Sequence, residues 1–483
     1  MMTDDARVVA LPVSVAPAAP AESPAAAAEA RRLRLLSGPI VPVMLGLAAP
    51  TVVVLVVQTL VGVAETYFVS FLGTDALAGA ALVFPVLMLM QMMSNGGIGG
   101  GVAASVARAI GAGRKSDAEA LVLHALVLAI GFGLVFTAGE LLFGGALYRA
   151  LGAQGGALAA ALAYGNVVFT GAVLVWIVSL LAAVLRGSGT VVVPAAVTLA
   201  GVVVLVPLSP ALIFGWGPFP RLGMAGAGVA VVVYYFFAAV ALIAYLRSGR
   251  GALRLTFDPR RLSWRLFADV LSVGGLSALG TVQANLTVVL VTGAVGRFGA
   301  GAIAGYGIAS RLDYILIPLL FGLGTGVVTL VGINVGAGQV ARARRIAWTG
   351  GLIGAGFTEA IGLAAASAPR AWLGLFSDDP AVLATGAHYL HIVAPTYGLF
   401  GLGLLLYFAG QGAGRVLWPV LAGTARLIVA ALGGWLVVSS LAGGLGGLFT
   451  AVALASIVYG IWGAGALRLT RWGPALPASK RIA

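Results

Sequence analysis

The sequence predicts an all-α integral membrane protein of twelve transmembrane helices, arranged as two parallel six-helix repeats around a central cavity. Three observations predict it: extreme apolarity, basic residues that alternate between loops, and an internal duplication. Of 483 residues, 60% are hydrophobic and only 9% charged, and the mean hydropathy is +1.07. Soluble chains run near ~25% charged. A soluble fold this apolar could not cover its own surface, so the bilayer must be its solvent.

A spanning helix needs roughly 20 mostly apolar residues. Such runs fall at 40–70, 77–109, 118–144, 157–185, 190–215 and 223–247, and then at 265–296, 302–335, 343–368, 381–410, 414–440 and 443–467. Before them lies an Ala/Pro-rich segment, 1–36, without a core pattern, expected to be disordered. It has no apolar run near its start, so a cleaved signal peptide is not expected. The domains read as an N-lobe over 37–247, a linker over 248–264, a C-lobe over 265–470 and a polar tail over 471–483.

With the N-terminus inside, the inner segments hold 22 Lys and Arg residues and the outer loops four, Arg149, Arg221, Arg297 and Arg370; Arg311 and Arg426 fall within spans. Basic residues stay on the cytoplasmic side of short loops, so both termini are expected to be cytoplasmic. The net charge of +13 therefore reads as topology and lipid contact, not as nucleic-acid binding.

The duplication appears at an offset of 225 residues. Ile98–Gly113 aligns with Leu323–Gly338, with Gly99, Gly101, Val102, Val106, Gly111, Ala112 and Gly113 each finding an identical partner. The same offset pairs Gln58 with Gln283, Tyr164 with Tyr389, and Arg186–Pro194 with Gln411–Pro419. Six spans per half keep both halves in the same orientation, which makes the repeats parallel about the membrane normal.

No nucleotide site is evident. The G-x-G stretches lack the Gly-Lys-Ser/Thr and the preceding strand of a phosphate loop, and there is no cysteine. No cofactor, metal site or enzymatic activity is expected. The 71 glycines read mainly as close helix packing. Pro50, Pro85, Pro318 and Pro395 should kink their spans.

Ionisable and polar residues within spans are the candidate sites. Glu65 lies two-thirds along the first span; an ionised carboxylate in hydrocarbon is costly, so it should face a cavity or stay protonated. Asp313 sits two residues beyond Arg311, a spacing at which side chains on a helix do not face each other. These two are the candidates for cation coupling. Arg426 needs a partner, Asp313 or Glu359 being available. Tyr164, Asn166, Gln283, Tyr389 and Gln58 are candidates for lining a substrate cavity, although such amides more often join helices. Glu140 could snorkel or pack against polar groups, and His388 and His391 could relay protons. Met88, Met90, Met92 and Met93 would give one helix an adaptable wall.

Several segments carry a family resemblance. Val61–Leu82, with an acid ahead of its LGTDALA stretch, the GAG turn after Ile98–Ile110, Ser310–Gln339 and His388–Pro419 together resemble the MATE (multidrug and toxic compound extrusion) transporters over residues 37 to 470. The resemblance implies a two-lobe secondary antiporter, in the plasma membrane (the inner membrane in a bacterium). It would export an organic cation in exchange for protons or sodium, with membrane lipids as neighbours and a monomer as the expected state. Two departures are visible. Leu205 and Ser209 stand where one branch has Asn and Asp, and Gln283 stands where another has a carboxylate. Two other readings stay open, a lipid-linked glycan flippase of the same superfamily and a channel or receptor-like protein. The scarcity of Arg within spans and the two-lobe duplication count against them.

Overall fold

The computed structural model describes residues 24–439 and 443–473, and among these every regular element is a helix. The disorder expected over 1–36 is corrected from Pro24 onward, because Pro24–Ser37 forms a helix, α1. Its Ala-rich start favours helix, and contacts hold its end. Arg32 donates to the carbonyls of Ile110 and Gly111 at 3.1 Å each, Arg31 donates to Thr190 at 3.0 Å, and Leu35 and Leu36 are buried. Residues 1–23 of that expected segment, and 474–483 of the tail, lie outside the described residues.

The spans follow in order. They are α2 (Ile40–Ser70), α3 and α4 (Thr74–Met92 and Ile98–Gly111, joined by a π turn), α5 (Lys115–Ala150), α6 and α7 (Gly155–Thr170 and Ala172–Gly187), α8 (Val192–Phe214) and α9 (Met224–Ser248). The second half continues with α10 (Trp264–Gly296), α11 (Ala300–Gly336), α12 (Val340–Ser367) and a short α13 (Pro369–Leu373). Then come α14 and α15 (Pro380–Val393 and Tyr397–Ala413), α16 and α17 (Leu417–Ile428 and Gly434–Ser439), and α18 (Gly444–Leu469). Ten of these stretches are long and apolar enough to cross a membrane, and α6 with α7, bent by 49°, makes an eleventh. The twelfth is α12, 28 residues long, whose apolarity is diluted by Glu359 and its glycines. All twelve expected spans are thus present among the described residues.

The two-fold relation shows in reciprocal contacts between the lobes. Gly101 of α4 lies against Val270 and Gly274 of α10, and Gly326 of α11 lies against Met44 and Ala48 of α2. Gly97 meets Ala278 while Gly322 meets Val52; Gly111 meets Ile333 while Gly336 meets Arg108. Contacts that exchange roles in this way are what a two-fold axis produces. Glycine is required because any Cβ at Gly111 would lie 2.0 Å from the Ile333 carbonyl oxygen. Left-handed turns repeat too, at Gly113 and Gly338 (φ 71° and 76°) and at Gly189 and Gly414 (φ 77° and 69°).

These contacts correct one sequence pairing. Met44, Ala48 and Val52 correspond to Val270, Gly274 and Ala278, an offset of 226 and not 225. Gly73 and Gly299, with φ 99° and 97°, obey 226 as well. The offset drops to 225 after Met93–Gly97, a π turn in the N-lobe helix whose C-lobe counterpart runs as unbroken α-helix. A π turn accommodates one extra residue. Gln58 and Gln283 are therefore one position out of register, and they differ accordingly: Gln283 is buried and Gln58 exposed.

The hydrogen bonds between the lobes gather at one end. Among the described residues, every hydrogen bond that crosses between them lies from the level of Met92 toward the end where Arg108, Arg265 and Arg342 cluster. Arg108 of α4 forms an ion pair with Asp269 of α10 at 2.9 Å and also donates to the carbonyl of Gly412 on α15. Two further ion pairs, Arg265 of α10 with Asp117 and Arg261 of the linker with Glu119, hold both segments to α5. At the opposite end no hydrogen bond joins the lobes among the described residues, which leaves that end free to open as a cleft.

Candidate functional site

One acid in each lobe has the same unfinished bonding. On the N-lobe side, Glu65 of α2 accepts a hydrogen bond from Ser209 of α8 at 2.9 Å, through Oε2. Its other oxygen, Oε1, is buried with no hydrogen-bond partner. Ser209 is fully buried between Pro207 and Pro210. The position that another branch fills with a carboxylate thus still faces Glu65, as a hydroxyl donor. Tyr164 of α6 lies in the neighbourhood of Glu65, with no hydrogen bond between them. Gln58 sits lower on α2, beside the Tyr234 hydroxyl.

In the C-lobe, Asp313 of α11 accepts from the Tyr389 hydroxyl of α14 at 2.8 Å, through Oδ2, and its Oδ1 is buried and unpartnered. Tyr397 lies within interaction range of the same carboxyl, but its hydroxyl falls outside hydrogen-bond geometry. Arg426 faces this group without forming an ion pair with Asp313 or Glu359. Its guanidinium stacks over Phe400 at 4.7 Å and Tyr459 at 5.7 Å. Arg311 is exposed and lies over Phe376 at 5.6 Å, turned away from Asp313 as the two-residue spacing requires.

Tyr389 donates to its lobe's acid, and Tyr164, its equivalent by the repeat, lies near the other without bonding it, although the acids come from non-equivalent helices, α2 and α11. Nothing in the sequence offset signals that pairing, because the repeat places Val291 opposite Glu65 and Leu87 opposite Asp313. Tyr397 and Ser209 also belong to these sites. The first could have been found from the repeat of the helix break at Gly171, which places Tyr397 at the start of α15.

The remaining candidates are not gathered at these acids. Gln283 donates to Thr424 at 2.8 Å, joining α10 to α16, with its Oε1 unmet. Asn166 is half-buried on α6. Glu140 is buried and accepts from Tyr148 at 2.6 Å, packed against Gly144 and Gly165. Met90 alone of the four methionines is fully buried. His388 and His391 lie on α14, and His388 packs against Phe449.

Glu359 has a structural job. It accepts from the backbone N–H of Gly398 at 2.7 Å, in the first turn of α15, where the chain re-enters helix after the Pro395 break. A carboxylate satisfies free N–H groups there and complements the helix dipole. Glu359→Ala is expected to lower stability by about 1 kcal/mol while leaving transport intact, as a drop in the melting temperature of the detergent-solubilised protein with unchanged flux.

At the inner end of the cleft, where the lobes first meet, lies a narrow crevice. It is lined by Asn95, Gly96, Gly99 and Gly100 from one lobe, Phe321, Thr325 and Gln411 from the other, and Arg186. Gln411 bridges the lobes, donating to the Gly96 carbonyl at 2.9 Å and to Ser277 at 2.8 Å.

Comparison with known proteins places this architecture. The sequence profile of the MatE family matches residues 50–211 and 268–436. The chain is 28% identical to an FAD transporter of Shewanella oneidensis, over 88% of this chain and 94% of that one. It is 30% identical to a probable multidrug resistance protein NorM of Deinococcus radiodurans, over 88% and 91%. Among solved structures, it superposes with a TM-score of 0.81 on a multidrug resistance MATE family transporter of the MOP superfamily in an outward-facing conformation. That match has 23% identity and covers 91% of this chain and 99% of the other.

Proposed function

Because the chain belongs to the MatE family of membrane transporters, we propose that it is a secondary exporter that carries amphipathic organic cations out of the cell in exchange for protons, with sodium as the alternative ion. The observation that carries this reading is the pair of lone carboxylates. Glu65 and Asp313 each have one oxygen satisfied by a hydroxyl and one buried without a partner. An unmet, charged oxygen away from water is costly, and binding a proton there removes the cost. A sodium ion would need several converging oxygens, whereas the hydroxyls here donate toward the acids. With the Arg-rich end taken as cytoplasmic, the cleft faces outward, and closing it while opening the Arg-rich seam gives the other state of an alternating-access cycle. Coupling then requires only that the two states bind protons differently.

The experiment is flux of a fluorescent organic cation into or out of proteoliposomes under an imposed pH gradient, with potassium exchanged for sodium in parallel. Transport that follows the pH gradient and ignores the swap supports proton exchange; strict sodium dependence overturns it. FAD in place of the cation tests the cargo class of the Shewanella relative on the same vesicles.

A further inference from the structure

We propose that a groove on the outer flank of the C-lobe, between α15 and α18, seats one acyl chain of an acidic phospholipid, with Arg468 holding the phosphate. The inference goes beyond the transporter reading and does not depend on which solute or ion is carried.

Leu399 and Leu402 of α15 floor the groove, and Gly460, Ile461, Ala464 and Gly465 of α18 wall it. It faces away from the other lobe. Leu399 stands nine residues before Phe408, and Leu402 nine before Gln411, a separation that puts each pair on opposite faces of a helix, about 180° apart. Phe408 and Gln411 point inward: Phe408 packs on Phe321 of α11, and Gln411 donates to the Gly96 carbonyl of the N-lobe at 2.9 Å. The groove therefore lies on the lipid side of α15, and Ile461 and Leu469 on its α18 flank are exposed.

Its volume is ≈ 310 Å³. One water needs only about 10–15 Å³, so the space holds a run of methylene groups. From Gly460 to Arg468 the wall follows α18 for about 12 Å, and it is apolar until that last residue. Small residues keep it open: a Cβ added at Gly465 would meet nothing within 4 Å.

Charge decides which lipid fills it. Arg468 closes the groove in the last turn of α18, and its guanidinium lies over the Trp348 ring of α12 at 5.6 Å. A guanidinium stacked by its face keeps its edge N–H groups for an acceptor. Among the described residues no carboxylate pairs with Arg468, with Arg345 one turn before Trp348, or with the exposed Arg471. Arg344 donates to the Thr470 carbonyl at 3.0 Å, which occupies an oxygen that would otherwise repel a phosphate beside the end of α18. Cations without an acid, a tryptophan at their level and an apolar groove leading away from them complement an anionic headgroup on its chain. A soluble phosphate has no use for the groove, and a zwitterionic headgroup brings a cation of its own. The occupant is therefore an acidic phospholipid of the leaflet at the Arg-rich end.

The test is lipid binding to the purified full-length protein in detergent, followed by native mass spectrometry. The probes are phosphatidylglycerol and phosphatidylcholine with identical chains. The tightest phosphatidylglycerol is expected to bind wild type about fivefold more strongly than phosphatidylcholine, the worth of one arginine at a membrane surface. Arg468→Gln should erase that preference, while Arg250→Gln, which removes an exposed arginine of the linker, should leave it unchanged. Gly465→Leu fills the groove and should weaken the tight site for both lipids. Glycerol phosphate, a headgroup without a chain, should not compete. Equal binding of the two lipids to wild type overturns the site, as does a preference that survives Arg468→Gln or falls equally with Arg250→Gln. Tight binding untouched by Gly465→Leu, or competition by glycerol phosphate at matched concentration, overturns the groove as the seat of a chain. Should Arg468→Gln not fold, Gly465→Leu decides alone, because its side chain enters open space.

Discussion

Glu65→Gln is expected to bring gradient-driven export to near background in a protein that still folds and inserts. The amide keeps the shape and hydrogen-bonding capacity of the carboxyl but cannot titrate. Its local partner survives, because Ser209 can still donate to an amide oxygen at the position of Oε2, 2.9 Å away in the native protein. Folding should hold, since a neutral amide costs less in the membrane than a charge. What disappears is the ability of the N-lobe to differ in proton affinity between its two states, and without that difference a proton gradient cannot bias the cycle. No second N-lobe carboxylate takes over: Ser209 fills the neighbouring position, and Glu140 is engaged with Tyr148 on α5. Solute binding is expected to persist, as binding and release are separate steps. Glu65→Asp should retain partial activity. Export by Glu65→Gln at the wild-type rate, in the same vesicles and gradient, would remove Glu65 from coupling and leave Asp313 with its Tyr389 partner as the remaining candidate.

How much of this was legible in the sequence depends on the distance over which each feature is encoded. The spans were legible because hydropathy is a local sum: the expected 40–70 and 265–296 lie within a residue of α2 and α10. Parallel repeats were legible because small residues at helix crossings recur at fixed spacing, and Gly101, Gly111, Gly326 and Gly336 are the seam. The one-residue register error between Gln58 and Gln283 was not, since a π turn leaves no gap in an ungapped comparison and shows only in which face each side chain occupies. Helix α1 was misread because Ala-rich composition suits disorder and helix equally; what decides is the anchoring of Arg31 and Arg32 on other helices. The two acids were legible as charges out of place, but their partners were not. Tyr389 reaches Asp313 across 76 residues and Ser209 reaches Glu65 across 144, distances over which only the fold speaks.

A disulfide across the Arg-rich seam is expected to stop transport completely and reversibly. The protein has no cysteine, so introduced thiols act against a silent background. Gly97 of the N-lobe and Ala278 of α10 face each other across the seam, and a Cβ built at Gly97 lies 3.1 Å from the Ala278 Cβ. A disulfide needs about 3.5–4.5 Å between these atoms, so the helices must ease apart by about half an ångström, which the π turn ending at Gly97 makes easier than a rigid α-helix would. In the state seen here the lobes meet at this point and share no hydrogen bond at the other end among the described residues. Passage to the opposite state must part Gly97 from Ala278, together with the Arg108–Asp269 ion pair and the reciprocal contact of Gly322 with Val52. Oxidised Gly97→Cys/Ala278→Cys should therefore bind solute from the open side yet fail to move it, and dithiothreitol should restore flux to the level of the reduced double variant. Each single cysteine variant should be indifferent to oxidant. Should the fully cross-linked protein carry solute as fast as its reduced form, the seam does not open during transport, and the alternating motion must be sought within one lobe, at the bends near Gly171 and Pro395.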